Sequence, residues 1–377
     1  MANSATVQLA KKLIKIPSLT PNDAGCLDLI VPRLEALGFR VEHLNSEDAC
    51  NIWARKGHKQ PLFAFAGHTD VVPTGPADKW RYEPFEPTID DGYLYGRGAA
   101  DMKSAVAAFI VALEGFLSEY APDGSIGVLI TSAEEAQSWK GTDVVIRELE
   151  SRGEKIDYCL VGEASSTTLL GDVIKNGRRG SLTGKLTVNG VQGHVAYPQL
   201  AENPIHKMVP VLQELLAAEW DKGNAYFAPT TFQASNITAG TGATNVIPPN
   251  LTCYFNWRYS PMITDREIKQ KVERILNRHR VDFCLEWCEH DKPFFTEPGF
   301  LADVCKKSIR QVVGIDPQFS TNGGTSDGRY IAPTGAQVIE LGVTNKTIHK
   351  INECARVDDI NNLTEIYRQI LVHLLTR

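Results

Sequence analysis

Three apolar runs in this chain end in side chains that bind cations: "FAFAGHTD" closes on His68 and Asp70, "LITSAEE" on Glu134 and Glu135, and "CLVGE" on Glu163. Asp101 follows the glycine-rich "LYGRGAAD", and His349 sits in "TIHKINE", a short loop beyond the apolar "VIELG". Two imidazoles and several carboxylates, gathered without thiolates, make a mixed nitrogen and oxygen donor set suited to zinc, with cobalt or manganese as substitutes. Packed together without a cation, those carboxylates would repel and raise one another's pKa values, and one or two divalent ions relieve the repulsion. Each residue alone has a plainer reading. His68 could be a hydrogen-bonded surface histidine, Glu134 and Glu135 favourable charges at a helix start, and Asp101 an N-cap. The recurrence of the same donor types at the same kind of strand end is what points to a metal centre.

Such side chains converge if the strands share one open sheet, because ligands bind at the carboxyl ends of strands in open α/β sheets. The first half of the chain supports that arrangement. Strand-like runs "FRVEHLN", "NIWARKG", "PLFAFAGHTD", "IGVLITSAEE" and "DYCLVGEA" alternate with helical patterns near 104–117 and 142–152. After about Arg179 the rhythm changes. A strand in "SLTGKLTVNG" precedes a helix that Asn203 caps and Pro204 opens, with Ile205, Met208, Val209, Leu212, Leu215 and Leu216 as its stripe. Strands in "TTFQASNITAG" and "NLTCYFNWRYS", a helix opened by the Thr264 and Glu267 capping box, and a strand in "VDFCLEWCEH" complete a βαββαβ, ferredoxin-like unit. The α/β style resumes from Lys292, with a helix over 301–313, a strand in "AQVIELG" and a last helix from about Asn361. The predicted architecture is α/β: a mixed-sheet catalytic domain over 1–179 and 293–377, interrupted by a smaller inserted domain over 180–292.

The stretches "GHTDVVP", "LYGRGAADMK", "SAEE", "VGEAS" and "GGTSDGR" together resemble the aminoacylase and carboxypeptidase family of co-catalytic zinc hydrolases. The resemblance spans nearly the whole chain. "IKNGRRGSL", "GATNVIP", "GGTSDGRYIA" and "TIHKINE" narrow it to a branch that removes a succinyl group from an amino acid, with acetyl-removing relatives as the nearby alternative. It implies a zinc-peptidase-like fold and two zinc ions per subunit. Asp101 would bridge them, His68 and Glu163 would complete one site, and Glu135 and His349 the other. It further implies that Asp70 fixes the His68 tautomer, that a cis peptide follows Asp101, and that Glu134, bound to neither ion, is the general base. His194 in "GHVAYP" resembles a histidine that reaches a partner subunit's site as an oxyanion donor, so the inserted domain would serve a homodimer and act as a lid. Arg178, Tyr197, Asn245, Arg258, Gly324, Thr325 and Asn345 match positions implicated in substrate binding, where arginine forks suit carboxylates. Gly323 and Gly324 would let the backbone approach the ligand. Arg179 and Arg329 read equally well as surface or salt-bridge residues. Two departures, "EEAQSWKGT" after the glutamate pair and Trp257 in "NWRYS", bear on the substrate rim. A non-catalytic metal-binding scaffold is the competing reading, against which an unligated Glu134 argues.

The rest of the composition excludes more than it selects. A net charge of -6 without a basic tract disfavours nucleic acid, and no stretch approaches the roughly 20 apolar residues of a membrane span. The start lacks a signal-peptide core, and the eight cysteines sit mostly inside apolar runs, so a cytoplasmic protein with reduced thiols is expected. Among the cysteines only Cys284 and Cys288, with His290, suggest a zinc site, but no second ligand pair follows at a suitable spacing.

Overall fold

The computed structural model describes residues 2–136 and 138–376, with only the main chain of Glu289 and His290. It divides into two compact units, Met1–Gly177 with Phe295–Ser320 and Ser326–Arg377, and Arg178–Phe294 with Thr321–Thr325.

The first unit opens with helices α1 (Ala5–Ile14) and α2 (Cys26–Ala36). Strands β1 (Arg40–His43), β2 (Asn51–Lys56) and β3 (Leu62–His68) follow. Helix α3 (Lys103–Glu119) then leads to β4 (Ser125–Thr131), and α4 (Thr142–Ser151) leads to β5 (Tyr158–Val161) and β6 (Val173–Lys175). The second unit runs β7 (Gly180–Asn189), α5 (Pro204–Ala217), β8 (Thr231–Ala239), β9 (Asn250–Tyr259), α6 (Asp265–Arg278) and β10 (Phe283–Asp291). The chain then returns to the first unit with α7 (Phe300–Val313), β11 (Gln318–Ser320), β12 (Gln337–Glu340) and α8 (Val357–Leu375).

The first unit's sheet has the order β1-β2-β4-β3-β5-β12-β6-β11. Its centre, β4, β3, β5 and β12, is parallel, whereas β1 and β2 join antiparallel at one side. Every residue of β3 and β4 is buried, as central parallel strands covered on both faces require. Alternate residues serve opposite faces. Ile126, Val128 and Ile130 join a core shared with α1, α3 and α8, in which Phe65 stacks on Phe109 with ring centroids 4.2 Å apart. Between them, Gly127 leaves room for Trp53, since a Cβ there would come within 2.2 Å of the indole. Helix α8 starts earlier than the sequence pattern suggests. Asp358 and Asp359 fill its first turn, where acidic charge suits the helix dipole, so Val357 and Ile360 are already helical.

The second unit's sheet is antiparallel with the order β8-β9-β7-β10, the interleaving of two βαβ halves that defines a ferredoxin-like fold. Asn203 accepts from the Ile205 N–H and caps α5, and Thr264 and Glu267 form the capping box of α6. The α5 stripe divides differently from expectation. Met208, Val211 and Leu215 enter the core, while Ile205, Val209 and Leu216 lie exposed, so this helix carries a second apolar face. Trp257 is also placed by packing rather than at a substrate rim. It is wholly buried, with Trp220, Phe232, Phe255 and Trp287 rings 4.9 to 5.8 Å from its own. All eight cysteines are unpaired, and Cys284 and Cys288 are exposed; the His290 side chain lies outside the described residues. Among the described residues no helix is long and apolar enough to cross a membrane.

Removing an aromatic side chain that these four rings surround leaves a cavity the sheet cannot close. Trp257→Ala is expected to destabilise the protein by about 3–5 kcal/mol in chemical denaturation. A loss below about 1 kcal/mol would contradict the packing role.

Candidate metal centre

Parallel β3, β4, β5 and β12 present their carboxyl ends along one edge, and each delivers a donor there. His68 is the last residue of β3, Glu134 and Glu135 follow β4, Glu163 follows β5, and His349 lies in the loop after β12. Asp101 comes from the turn that starts α3, and the peptide joining it to Met102 is cis. Met102 explains two glycines. A Cβ on Gly67 or on Gly162 would come within 2.6 or 2.5 Å of the Met102 Cε, so the residues preceding His68 and Glu163 admit the side chain that follows Asp101.

The donors form two groups around one carboxylate. Asp101 Oδ1 lies 3.3 Å from His68 Nε2, which is 3.6 Å from Glu163 Oε1. Asp101 Oδ2 lies 3.4 Å from His349 Nε2, which is 3.1 Å from Glu135 Oε2. Donors bound tetrahedrally at about 2.0–2.1 Å stand roughly 3.3 Å apart, so these gaps match the spacing around a zinc-sized cation. His68 Nε2 and Asp101 Oδ1 are buried atoms with no hydrogen-bond partner, which is costly unless something else occupies the space between them. The donors therefore fit divalent ions, which His68, Asp101, Glu135, Glu163 and His349 would hold.

Asp70 supports this arrangement twice. Its main-chain carbonyl lies 2.9 Å from His68 Nδ1, closer than its own carboxylate at 3.5 Å. An N–H at Nδ1 donating to that carbonyl leaves the Nε2 lone pair facing the cluster. The Asp70 carboxylate accepts from the main-chain N–H groups of Glu134 and Glu135, at 3.2 and 3.0 Å, and so shapes the turn that carries both glutamates.

Without a cation, protons must balance the charge. Burial works against a charged His68, yet Asp101, Asp70 and Glu163 hold its pKa well above the usual value. Asp101 and Glu135 push His349 up to about 10, and burial with the nearby Asp101 lifts Glu163 to about 7. Burial, Asp327 and Glu163 raise Glu134 well above the ordinary carboxylate range. Asp327 was not singled out from sequence. It is buried, Thr142 Oγ1 donates to its Oδ2 at 2.6 Å, and its Oδ1 has no partner. Its only sequence signal is "TSDGR". Arg329, in the same stretch, is buried and donates to Ser138 Oγ; Gln137, in the atypical "AQSWK" stretch, lies outside the described residues.

Asn345 belongs to the first unit, half-buried, its main-chain N–H held by the Ser166 carbonyl at 2.9 Å. The other sequence-predicted residues belong to the second unit. There His194, Tyr197 and Asn245 come together: the first two rings are 5.8 Å apart, and the Asn245 carbonyl accepts from Val195 N–H. Arg178 is buried and donates to the Gly324 carbonyl at 3.1 Å, and a Cβ on Gly323 would meet its Nη1 at 2.6 Å. Gly323 thus makes room for Arg178. Thr325 keeps a buried, unpaired hydroxyl. Arg258 is half-buried on β9, and Arg179, whose Nε is unpaired, feels burial first and then Arg258, both lowering its pKa.

The model of peptidase family M20/M25/M40 matches residues 64–373. This chain belongs to that family. Among its relatives, the succinyl-diaminopimelate desuccinylase of Nitrosococcus oceani is 56% identical over 374 residues, covering 99% of this chain and 100% of its own. The succinyl-diaminopimelate desuccinylase of Psychromonas ingrahamii is 54% identical over 377 residues, covering 100% of both chains. The M20 fold is also evident in the solved structure of a metallo-carboxypeptidase of the family from Sulfolobus solfataricus, with a TM-score of 0.80 at 17% identity over 98% of each chain.

Metal binding needs deprotonated donors, so loading the metal-free protein must expel the protons held by His68, His349 and Glu163. At pH 7, zinc titration in buffers of differing ionisation heat is expected to report release of about two to three protons per chain. Zinc affinity should rise with pH from below about 7 to about 10, the values of Glu163 and His349. Binding heats independent of the buffer would contradict this account.

Proposed function

We propose that this chain is a two-zinc succinyl-diaminopimelate desuccinylase, hydrolysing N-succinyl-LL-2,6-diaminopimelate to succinate and LL-2,6-diaminopimelate. The carrying observation is the divided Asp101 carboxylate, Oδ1 towards His68 and Glu163 and Oδ2 towards Glu135 and His349, in a chain 56% identical to a relative of that name. The metal set is His68, Asp101, Glu135, Glu163 and His349, with cobalt or manganese as substitutes for zinc.

When bound, the two ions would supply Lewis acidity, lowering the pKa of water towards about 7 and polarising the scissile carbonyl. Glu134 is the general base. One of its carboxylate oxygens lies within 4.8 Å of donor atoms of both His68 and Glu163, and the environment that raises its pKa favours taking a proton. As the water oxygen bonds to the amide carbon, Glu134 takes the water's proton. When the C–N bond breaks, it passes that proton to the amine nitrogen. Asp70 keeps His68 in the tautomer whose Nε2 faces the cluster.

For the second unit we propose three contributions. His194 donates to the oxyanion in a partner subunit's site, while Arg178, Tyr197, Asn245, Arg258, Gly324 and Thr325, with Asn345 of the first unit, bind the carboxylates and amine of the substrate. The unit also forms the homodimer and acts as a lid. Exposed Ile205, Val209 and Leu216 on α5 support an association through this face. A cytoplasmic location accords with eight unpaired cysteines.

Glu134→Ala is expected to keep the metal content of the parent while turnover falls about 10²–10⁴-fold. Unchanged turnover would refute the base assignment. Amine release from succinyl- and acetyl-substrates measured side by side should favour the succinyl compound, and preference for the acetyl compound would retire the substrate assignment.

A further inference from the structure

Glu353 is fully buried, yet it lies outside the donor set. Its Oε1 accepts from the main-chain N–H groups of Ala100 and Asp101, at 2.8 and 3.0 Å. Its Oε2 accepts from Gly98 N–H at 3.0 Å and from Arg97 Nη1 at 2.6 Å. Its main-chain carbonyl takes the Gly96 N–H at 3.0 Å. The turn carrying Asp101 is therefore wrapped around one carboxylate whose two oxygens have four donors between them.

Arg97 extends the same device. It is almost fully buried, with its guanidinium carbon 5.3 Å from the Trp80 ring centroid, and it donates to the Lys350 carbonyl at 3.3 Å and to the Pro73 carbonyl at 3.1 Å. Lys350 adjoins His349, and Pro73 lies on the segment leaving His68. One ion pair thus ties together three segments that carry donors.

The His349 loop needs such a tie. His349 and Asn352 adopt φ values of +58° and +62°, which side chains other than glycine occupy at a cost, so the surroundings must impose the conformation. The His349 side chain is half exposed and gains little support from packing. His68, by contrast, is fixed at a strand end and buried, and Glu163 follows directly from the strand beside it.

We infer that Arg97 and Glu353 are a positioning pair that holds Asp101 and His349 in register, so that the metal position formed by Asp101, Glu135 and His349 depends on it. The position formed by His68, Asp101 and Glu163 leans on the sheet instead. The inference rests on the two-metal reading above.

The test is a cobalt titration of the full-length metal-free protein, followed by visible absorption, for the parent and for Glu353→Gln, Arg97→Lys and His349→Ala. The parent shows two binding steps, and His349→Ala identifies the one that uses His349. Glu353→Gln and Arg97→Lys are expected to weaken that step about 10–100-fold and to move the other less than about threefold. Excess cobalt then restores turnover with KM unchanged, a rescue that general loss of structure would not allow. Glu154→Gln, which breaks contacts with Trp53 and Arg55 instead, is expected to move neither step. If Glu353→Gln is insoluble, Arg97→Lys decides alone. Two intact steps in both variants, or equal weakening of both steps, overturns the positioning role. A parent that binds fewer than two ions overturns the two-metal reading and the inference with it.

Discussion

Carboxylates gathered in a buried space repel one another, and the cost falls only when positive charge is brought among them. Asp101, Glu134, Glu135, Glu163 and Asp327 face this constraint together; His68 and His349 are the cations beside the first four, and Arg329 acts on Asp327. Protons on the imidazoles and on Glu163 balance the charge in part. Two divalent ions would balance it while leaving the imidazoles neutral, and the donor gaps of 3.1 to 3.6 Å suit them. Glu134 is raised by the same surroundings, burial first and then Asp327 and Glu163, which suits the proposed role of a base outside the five proposed donors.

The fold converts that constraint into a fixed geometry. Parallel strands carry His68, Glu134 with Glu135, and Glu163 to one edge, which only a sheet covered on both faces can do with such uniformly apolar strands. The remaining donors arrive on loops and need separate support. Asp70 holds the glutamate turn through two main-chain N–H groups, and Glu353 holds the Asp101 turn in the same manner. Both therefore use a buried acid to order backbone rather than to bind the cation.

Much of this was legible in the sequence, for identifiable reasons. Strands β3, β4 and β5 are continuous apolar runs, and capping residues marked α5 and α6, so their placement followed from local rules. The five donors stood out because acids and imidazoles ended those runs. What stayed hidden depends on contacts between distant segments. Glu353 and Arg97 lie 256 positions apart, and nothing local says that one saturates the other. Asp327 influences Glu134 through space, and Gly323 makes room for Arg178 from far along the chain. The Trp257 ring needed its neighbours in β7, β8 and β10 before it could be recognised as core, and the exposed face of α5 could not be told from its buried one by periodicity alone, since both are apolar.

The central claim is that one aspartate divides two cations between two sets of donors. Diffraction from crystals of the zinc-loaded protein, recorded on both sides of the zinc absorption edge, tests it most directly. The account predicts two anomalous peaks about 3.5–4 Å apart with Asp101 between them, one against His68 and Glu163 and the other against Glu135 and His349. A single peak, or peaks away from Asp101, would contradict it.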